Sequence, residues 1–384
     1  MWTPAVVGLL ALFFAAQTVD TRACRSPEPS PAPPPSPSPA PSPSPSPGPS
    51  PETFSTEDGI RFRVETVATG LQVPWAMAFA PDGRLFVTER PGRVRIVNTA
   101  TGASELALTI DGVFAQGEAG ALGLALDPAF GENQWVYVYH SAAAGTGGAV
   151  NRVVRYREVS GRLTERVVLL DNIPAASIHD GGRIRFGPDG LLYVTAGDAA
   201  NTSLPQDVGS LAGKILRITS SGAVPAGNPF GGSPVYSWGH RNPQGLDWHP
   251  ATGDLWASEH GATGNDEINV IRPGINYGWP RIEGAATMPG MEAPIVFFSP
   301  AIAPSGASFY RGQRFPRFSN NLFVAALAGQ LLLRLRIEGR QIVAQERLLD
   351  DRFGRLRDVV SGPDGNLYIA TNTNDRIVRL VPAP

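Results

Sequence analysis

The sequence predicts an all-β chain folded as a six-bladed β-propeller with four-stranded antiparallel blades, and three observations carry that prediction. A unit made of a proline, a short turn and an apolar β-rich run recurs six times, at Pro81, Pro128, Pro188, Pro250, Pro316 and Pro363. The gaps between those prolines are 47, 60, 62, 66 and 47 residues. Their mean, about 56 residues, holds four short strands with their turns, and six such units fill the chain from about residue 53 to its end. Helical periodicity with caps is nearly absent, whereas 43 glycines punctuate the sequence.

Taken in order, the chain opens on an apolar run at residues 5–16, AVVGLLALFFAA. Twelve residues are too few to span a hydrocarbon core of about 30 Å, and the run sits where a signal-peptide core would, although no positive side chain precedes it. Cys24 follows at the place where a bacterial lipoprotein carries its acylated cysteine; Ala23 suits that motif, while Thr21 and Arg22 do not. Residues 1–24 therefore read as a signal peptide, with Cys24 a candidate for lipoprotein acylation, and predict export to the periplasm, the cell surface or the medium. From residue 26 to 51, 14 of 26 residues are proline, alternating with Ser and Ala. Fixed φ and few N–H donors favour extended polyproline II, so residues 25–52 read as a spacer ahead of the propeller at 53–384.

Within the propeller each run alternates or is continuously apolar and follows Pro-Asp-Gly or Gly/Asn chemistry, the signature of a strand reached through a tight turn. The segments at 62–69 and 376–381 are expected to share one blade, which removes an open sheet edge. Most Trp, Leu, Val and Tyr in these runs then belong to packing between blades.

Composition narrows the function. The 384 residues carry 32 basic and 34 acidic groups with no basic run, which argues against nucleic acid or an anionic membrane surface as partner. One cysteine excludes an internal disulfide, a CxxC pair and thiolate metal sites; one lysine, Lys214, leaves no other amine for Schiff-base or P-loop chemistry. HExxH, GxSxG and GxGxxG are absent.

Function must come from what departs from the repeat. Three polar, glycine-rich segments do so: Ile178-His179-Asp180-Gly181-Gly182-Arg183 with Asp198 beyond the next strand; Gly239-His240-Arg241-Asn242-Pro243-Gln244-Gly245 with the run from Glu259 to Glu267; and Gly354-Arg355-Leu356-Arg357-Asp358. Loops on one face of a propeller converge on the axis, so these segments can meet. Histidine suits a general base at neutral pH, arginines grip carboxylate or phosphate, and a glycine loop with Asp and Glu can wrap a hard cation. Each feature also has an ordinary reading: a histidine beside Asp-Gly-Gly is often a turn residue, and paired arginines often lie on a solvated face. His140 and His249 have no companions and receive no role.

Six strings, GEAGALGLALDP, HDGGRIRFGPDG, GHRNPQGL, SEHGATGNDEINVI, NYGWP and RLRDVVSGPDGNLYIATN, occur in that order between residues 117 and 372. Together the chain from about residue 60 to 380 resembles the soluble pyrroloquinoline-quinone-dependent sugar dehydrogenases, in their aldose sugar dehydrogenase branch. The resemblance implies His179 as general base toward the anomeric hydroxyl, with Asp198 orienting it. It implies Arg241 and Asn242 at the quinone oxygens, Glu118 facing the cofactor, and Arg355 and Arg357 on its carboxylates. It implies backbone carbonyls of Gly261 and Ala262 on a catalytic calcium, and Glu267 and Tyr277 on a second, structural one. Two departures stand out. Ala328 takes the place of a cofactor-clamping lysine, and the long insertion that closes the sugar pocket after NYGWP is missing, which predicts broad aldose use. The expected reaction is oxidation of an aldose to an aldonolactone, with electrons passed to an external acceptor and membrane contact only through a lipid on Cys24. Two alternatives remain open: a calcium-dependent lactonase, and a non-catalytic propeller that binds glycans or proteins.

Overall fold

The computed structural model describes residues 52–145 and 147–384. The leader, Cys24 and nearly all of the proline-rich spacer lie outside the described residues.

Six antiparallel sheets follow one another along the chain. Blade 1 runs Pro74–Phe79, Leu85–Glu89, Arg93–Val97 and Ser104–Thr109, in sheet order as in sequence order. Blades 2 to 5 repeat the pattern, and their innermost strands are Ala121–Leu126, Ile184–Phe186, Pro243–Trp248 and Pro304–Phe309. Blade 6 combines Leu356–Ser361, Leu367–Thr371 and Arg376–Pro382 with the early strand Arg61–Ala68. That last pairing, Phe62 opposite Pro382 through Ala68 opposite Ile377, joins the two ends of the domain as expected. A short fifth strand, Thr53–Ser55, extends blade 6 outward, which the repeat did not announce. Innermost strands of consecutive blades touch all the way round, so the ring is closed. Among the described residues the helical content is a single turn, Phe130–Asn133, and one 3-10 turn.

All six repeat prolines fall in the turn between the first and second strands of a blade, on one face of the ring. In three of these turns the chemistry is the same. The aspartates Asp82, Asp189 and Asp364 accept the N–H two residues on, at 3.0, 3.2 and 3.1 Å, while Gly83, Gly190 and Gly365 take positive φ. The strand that follows is apolar on both faces because both faces meet a neighbouring blade. Phe309, fully buried, sets its ring 6.1 Å from Trp256 and 5.0 Å from His249, joining blades 4 and 5. Truncating such a side chain to alanine costs about 3–5 kcal/mol.

Candidate active site

Opposite the Pro-Asp-Gly turns, the face formed by the loops entering each first strand and leaving each second strand gathers the polar residues. Reading upward from the backbone, His179 adopts φ 62°, an unusual conformation for a non-glycine residue. It is held there by contacts that admit no side chain: a Cβ on Gly197 would overlap the His179 carbonyl, and one on Gly117 would overlap the Ser177 carbonyl. The His179 N–H donates to Glu118 Oε2 at 3.1 Å, and its carbonyl accepts from Ala199 N at 3.1 Å.

The His179 ring meets Asp198, with Nδ1 2.8 Å from Oδ1. Asp198 is buried and also accepts from Ala200 N and, through Oδ2, from Trp279 Nε1, both at 2.8 Å. A carboxylate surrounded by donors takes the Nδ1 proton, which leaves Nε2 as the basic lone pair of a neutral imidazole. Trp279 also lies under the Arg241 guanidinium, 5.3 Å from its ring centre.

Arg241 and Asn242 are fixed by the strand beside them. Glu259 accepts the Arg241 N–H through a close contact and binds His240 Nδ1 at 2.8 Å, while His240 Nε2 lies 2.8 Å from Ser237 Oγ. The two strings that contain them therefore form one hydrogen-bonded unit. Asn242 is fully buried, accepts from Gly181 N at 3.0 Å and donates to Glu118 Oε2 at 3.2 Å. Burial raises the Glu118 pKa, but the imidazoles of His260 and His179, the His179 N–H and Arg357 outweigh it and set the carboxyl below its ordinary value. Burial pushes His260 down to about 4 against the opposing pull of Glu118 and Asp266, so this imidazole is neutral at pH 7.

Arg357 bridges three blades. It donates to Gln244 Oε1 at 2.7 Å, Ser305 Oγ at 3.3 Å and Asn372 Oδ1 at 3.0 Å, spanning blades 4, 5 and 6. Burial, opposed by Glu118 and reinforced by Arg355, Arg183 and Arg90, pulls its pKa down to about 9. It remains a cation at neutral pH. Below it Trp75 is sandwiched between Arg357 and Arg183, which pairs with Asp358 at 3.1 Å. Arg355 is exposed at the rim. Ala328 is likewise exposed and adds no charge.

Among the described residues no group of three or more His, Asp or Glu side chains is placed to hold a metal, so a cation here would depend on carbonyls. The carbonyls of Gly261 and Ala262 accept no hydrogen bond among the described residues, while their N–H groups are taken by Asp266 and Glu283. A cavity of about 10 Å³, room for one ion or water, is lined by Glu259, Glu267, Tyr277 and Glu283. Burial, then the charges of Glu259 and Glu283, push the Glu267 carboxyl up to about 8, the strain that a bound cation would relieve. The Tyr277 hydroxyl is committed to Val270 O at 2.7 Å and Arg272 N at 2.8 Å, so only its carbonyl could serve as a ligand.

The structure thus brings Glu118, His179, Asp198, Arg241, Asn242 and Arg357 into one hydrogen-bonded and electrostatic group, with Arg355 at its edge and the Gly261–Glu267 loop beside Arg241. Sequence reasoning passed over Trp279, His260, Glu259 and Gln244, which lay inside the quoted strings but carry their roles through contacts. A cavity of about 530 Å³ lies on the opposite face among Arg311, Arg314 and Asp364 and includes none of this group.

A family model for glucose/sorbosone dehydrogenases matches residues 71–379. Aldose sugar dehydrogenase YliI of Escherichia coli is 33% identical over 80% of this chain and 90% of its own. Quinoprotein glucose dehydrogenase B of Acinetobacter calcoaceticus is 26% identical over 83% and 87%. The PQQ-bound aldose sugar dehydrogenase of Streptomyces coelicolor is 38% identical, covers 83% of this chain and 98% of its own, and superposes with a TM-score of 0.77. The chain belongs to the glucose/sorbosone dehydrogenase family, a family of oxidoreductases.

Proposed function

We propose that this protein oxidises aldoses at C1 to aldonolactones, dependent on pyrroloquinoline quinone and calcium, and delivers the electrons to an external acceptor. The observation that carries the reading is the line Trp279, Asp198, His179 standing beside Arg241, Asn242 and Arg357 on one face of the ring. The bound quinone would supply the hydride acceptor, and calcium the Lewis acid that makes it more electrophilic.

His179 Nε2 takes the proton of the anomeric hydroxyl as the C1 hydride and its electron pair leave the sugar. Asp198 holds the required tautomer and stabilises the imidazolium that forms. Arg241 and Asn242 offer N–H groups where negative charge develops. Arg355 and Arg357 would hold the quinone's carboxylates, Glu118 fixes Asn242 and the His179 backbone, the Gly261 and Ala262 carbonyls would hold the catalytic calcium, and Glu267 with the Tyr277 carbonyl would hold the second. The uncommitted carbonyls and the buried Glu267 support that assignment.

Purified apo-protein given the quinone and calcium should reduce a dye with many aldoses. The variant His179→Ala should lose about 100- to 10,000-fold in turnover while still binding the quinone. Near-normal turnover in that variant would refute the base assignment. Lactone hydrolysis without quinone would favour a lactonase, and glycan binding without turnover a binding module.

Export is part of the proposal, motivated by the apolar run at 5–16 and the proline-rich stretch behind it. No helix among the described residues is long and apolar enough to cross a membrane. Cell fractionation and the mass of the Cys24 peptide test it: a cytoplasmic, unprocessed chain would refute export, and an unmodified Cys24 would refute lipid anchoring.

A further inference from the structure

Arg90 is the first residue after the second strand of blade 1, the place that His260 occupies in blade 4 and Asn372 in blade 6. Both of those residues belong to the site described above. The Arg90 N–H donates to Val73 O at 3.0 Å and its carbonyl accepts from Ala121 N at 2.9 Å, which fixes its backbone against the segment carrying Glu118. Gly120, with φ 146°, makes that approach possible: a Cβ there would overlap the Arg90 carbonyl and come within 2.7 Å of its Cγ. The stem of Arg90 therefore lies flat on this segment, and its charge reaches far enough to help pull down the Arg357 pKa.

Its guanidinium is unclaimed. Among the described residues no carboxylate pairs with it and no carbonyl or side chain accepts its hydrogen bonds, although it is half-buried. Arg357 by contrast is bonded to three polar side chains, and Arg183 to Asp358. Four arginines, Arg90, Arg183, Arg355 and Arg357, act on this one region, and Glu118 is the acid that answers Arg357. Like charges gathered in excess of their acids repel one another and favour a ligand that brings several negative groups.

We propose that Arg90 is a further cofactor-binding residue, holding a carboxylate of the quinone together with Arg355 and Arg357. The inference rests on the quinone reading given above. The experiment is titration of apo-protein with pyrroloquinoline quinone at saturating calcium, followed by equilibrium dialysis at several NaCl concentrations, for wild type, Arg90→Gln and Arg90→Lys. Loss of one charge-assisted contact should weaken binding in Arg90→Gln by about 10- to 100-fold and flatten its salt dependence, with Arg90→Lys recovering part of the loss. The melting temperature of apo Arg90→Gln should stay level or rise, because the guanidinium has no protein partner to lose. Binding by Arg90→Gln within about twofold of wild type would overturn the inference and leave the quinone reading standing. A fall in apo melting temperature with no recovery in Arg90→Lys would overturn it in favour of a purely structural role. Failure of the wild type itself to bind the quinone would instead remove the reading on which it rests.

Discussion

Asp180 lies directly behind the proposed base, 1% exposed, and has an unbalanced hydrogen-bond account. Its Oδ1 accepts from Asn151 Nδ2 at 2.9 Å and Ala176 N at 3.2 Å, its carbonyl accepts from Tyr139 Oη at 2.9 Å, and Oδ2 has no partner among the described residues. Burial raises its pKa to about 7, with Asn151 and Ala176 opposing and Glu118 adding to the rise. The unfolded carboxyl ionises near 3.8. A raised folded pKa means that this group's contribution is fully present below about pH 4 and is lost as pH rises toward 7. With about three pKa units between the states at 1.36 kcal/mol each, the loss approaches about 4 kcal/mol, an upper bound because water reaching the carboxylate would relieve part of it. Asp180→Asn has the shape of the protonated acid, keeps Oδ1 as acceptor and cannot ionise. Urea denaturation followed by tryptophan fluorescence should show its stability relative to wild type growing by about 2 kcal/mol between about pH 5 and 8. A gap that stays constant with pH, or a variant weaker than wild type at the alkaline end, would refute the reasoning.

Two further outcomes follow from the same network. His140 is buried, with Nε2 unpartnered and Nδ1 3.3 Å from Ser141 O, and burial lowers its pKa to about 4. Its contribution is present above about pH 6.5 and is lost as pH falls toward 4, so melting curves of His140→Leu should decline less steeply than wild type over that range; equal slopes would count against it. Gly197→Ala should cost about 1–3 kcal/mol and displace the His179 loop, so turnover should fall at least tenfold while circular dichroism keeps its β signature. Unchanged turnover and melting temperature would show that the loop yields more easily than its packing indicates.

How much of this was legible before the fold was known depends on the range of the force involved. The Pro-Asp-Gly turns at residues 81, 188 and 363 could be read because an aspartate binding its own backbone and a glycine at positive φ are local chemistry. Blade closure by Arg61–Ala68 could be read because an unpaired edge must find a partner, whereas Thr53–Ser55 is too short to show alternation. In the site, His179 and Arg241 stand out by residue type. Glu259 does not: its task is to hold His240 and the Arg241 backbone from 18 to 19 residues away, and only the pairing of Pro243 with Glu259 reveals it. Trp279 and Asp198 are 81 residues apart in sequence, and no local pattern announces that an indole N–H completes a carboxylate.

The ring separates stability from chemistry by face. Three of the turns between first and second strands are short and satisfied by their own aspartates and glycines, which leaves them few groups to offer a ligand. Loops on the other face carry the chain from the rim of one blade to the axis of the next, so they can bring a histidine, an asparagine or an arginine to the centre. The cost falls on that face as well. Glu267 among other carboxylates and Arg90 without an acid to pair with are each less favourable without the cation and the polyanion proposed above than with them. Binding that relieves all of these appears as added stability, RT ln(1 + [L]/Kd), which reaches about 4 kcal/mol at a thousandfold excess over Kd. The loops of that face are therefore the weaker part of the ring, and heating apo-protein should loosen them before it parts the blades.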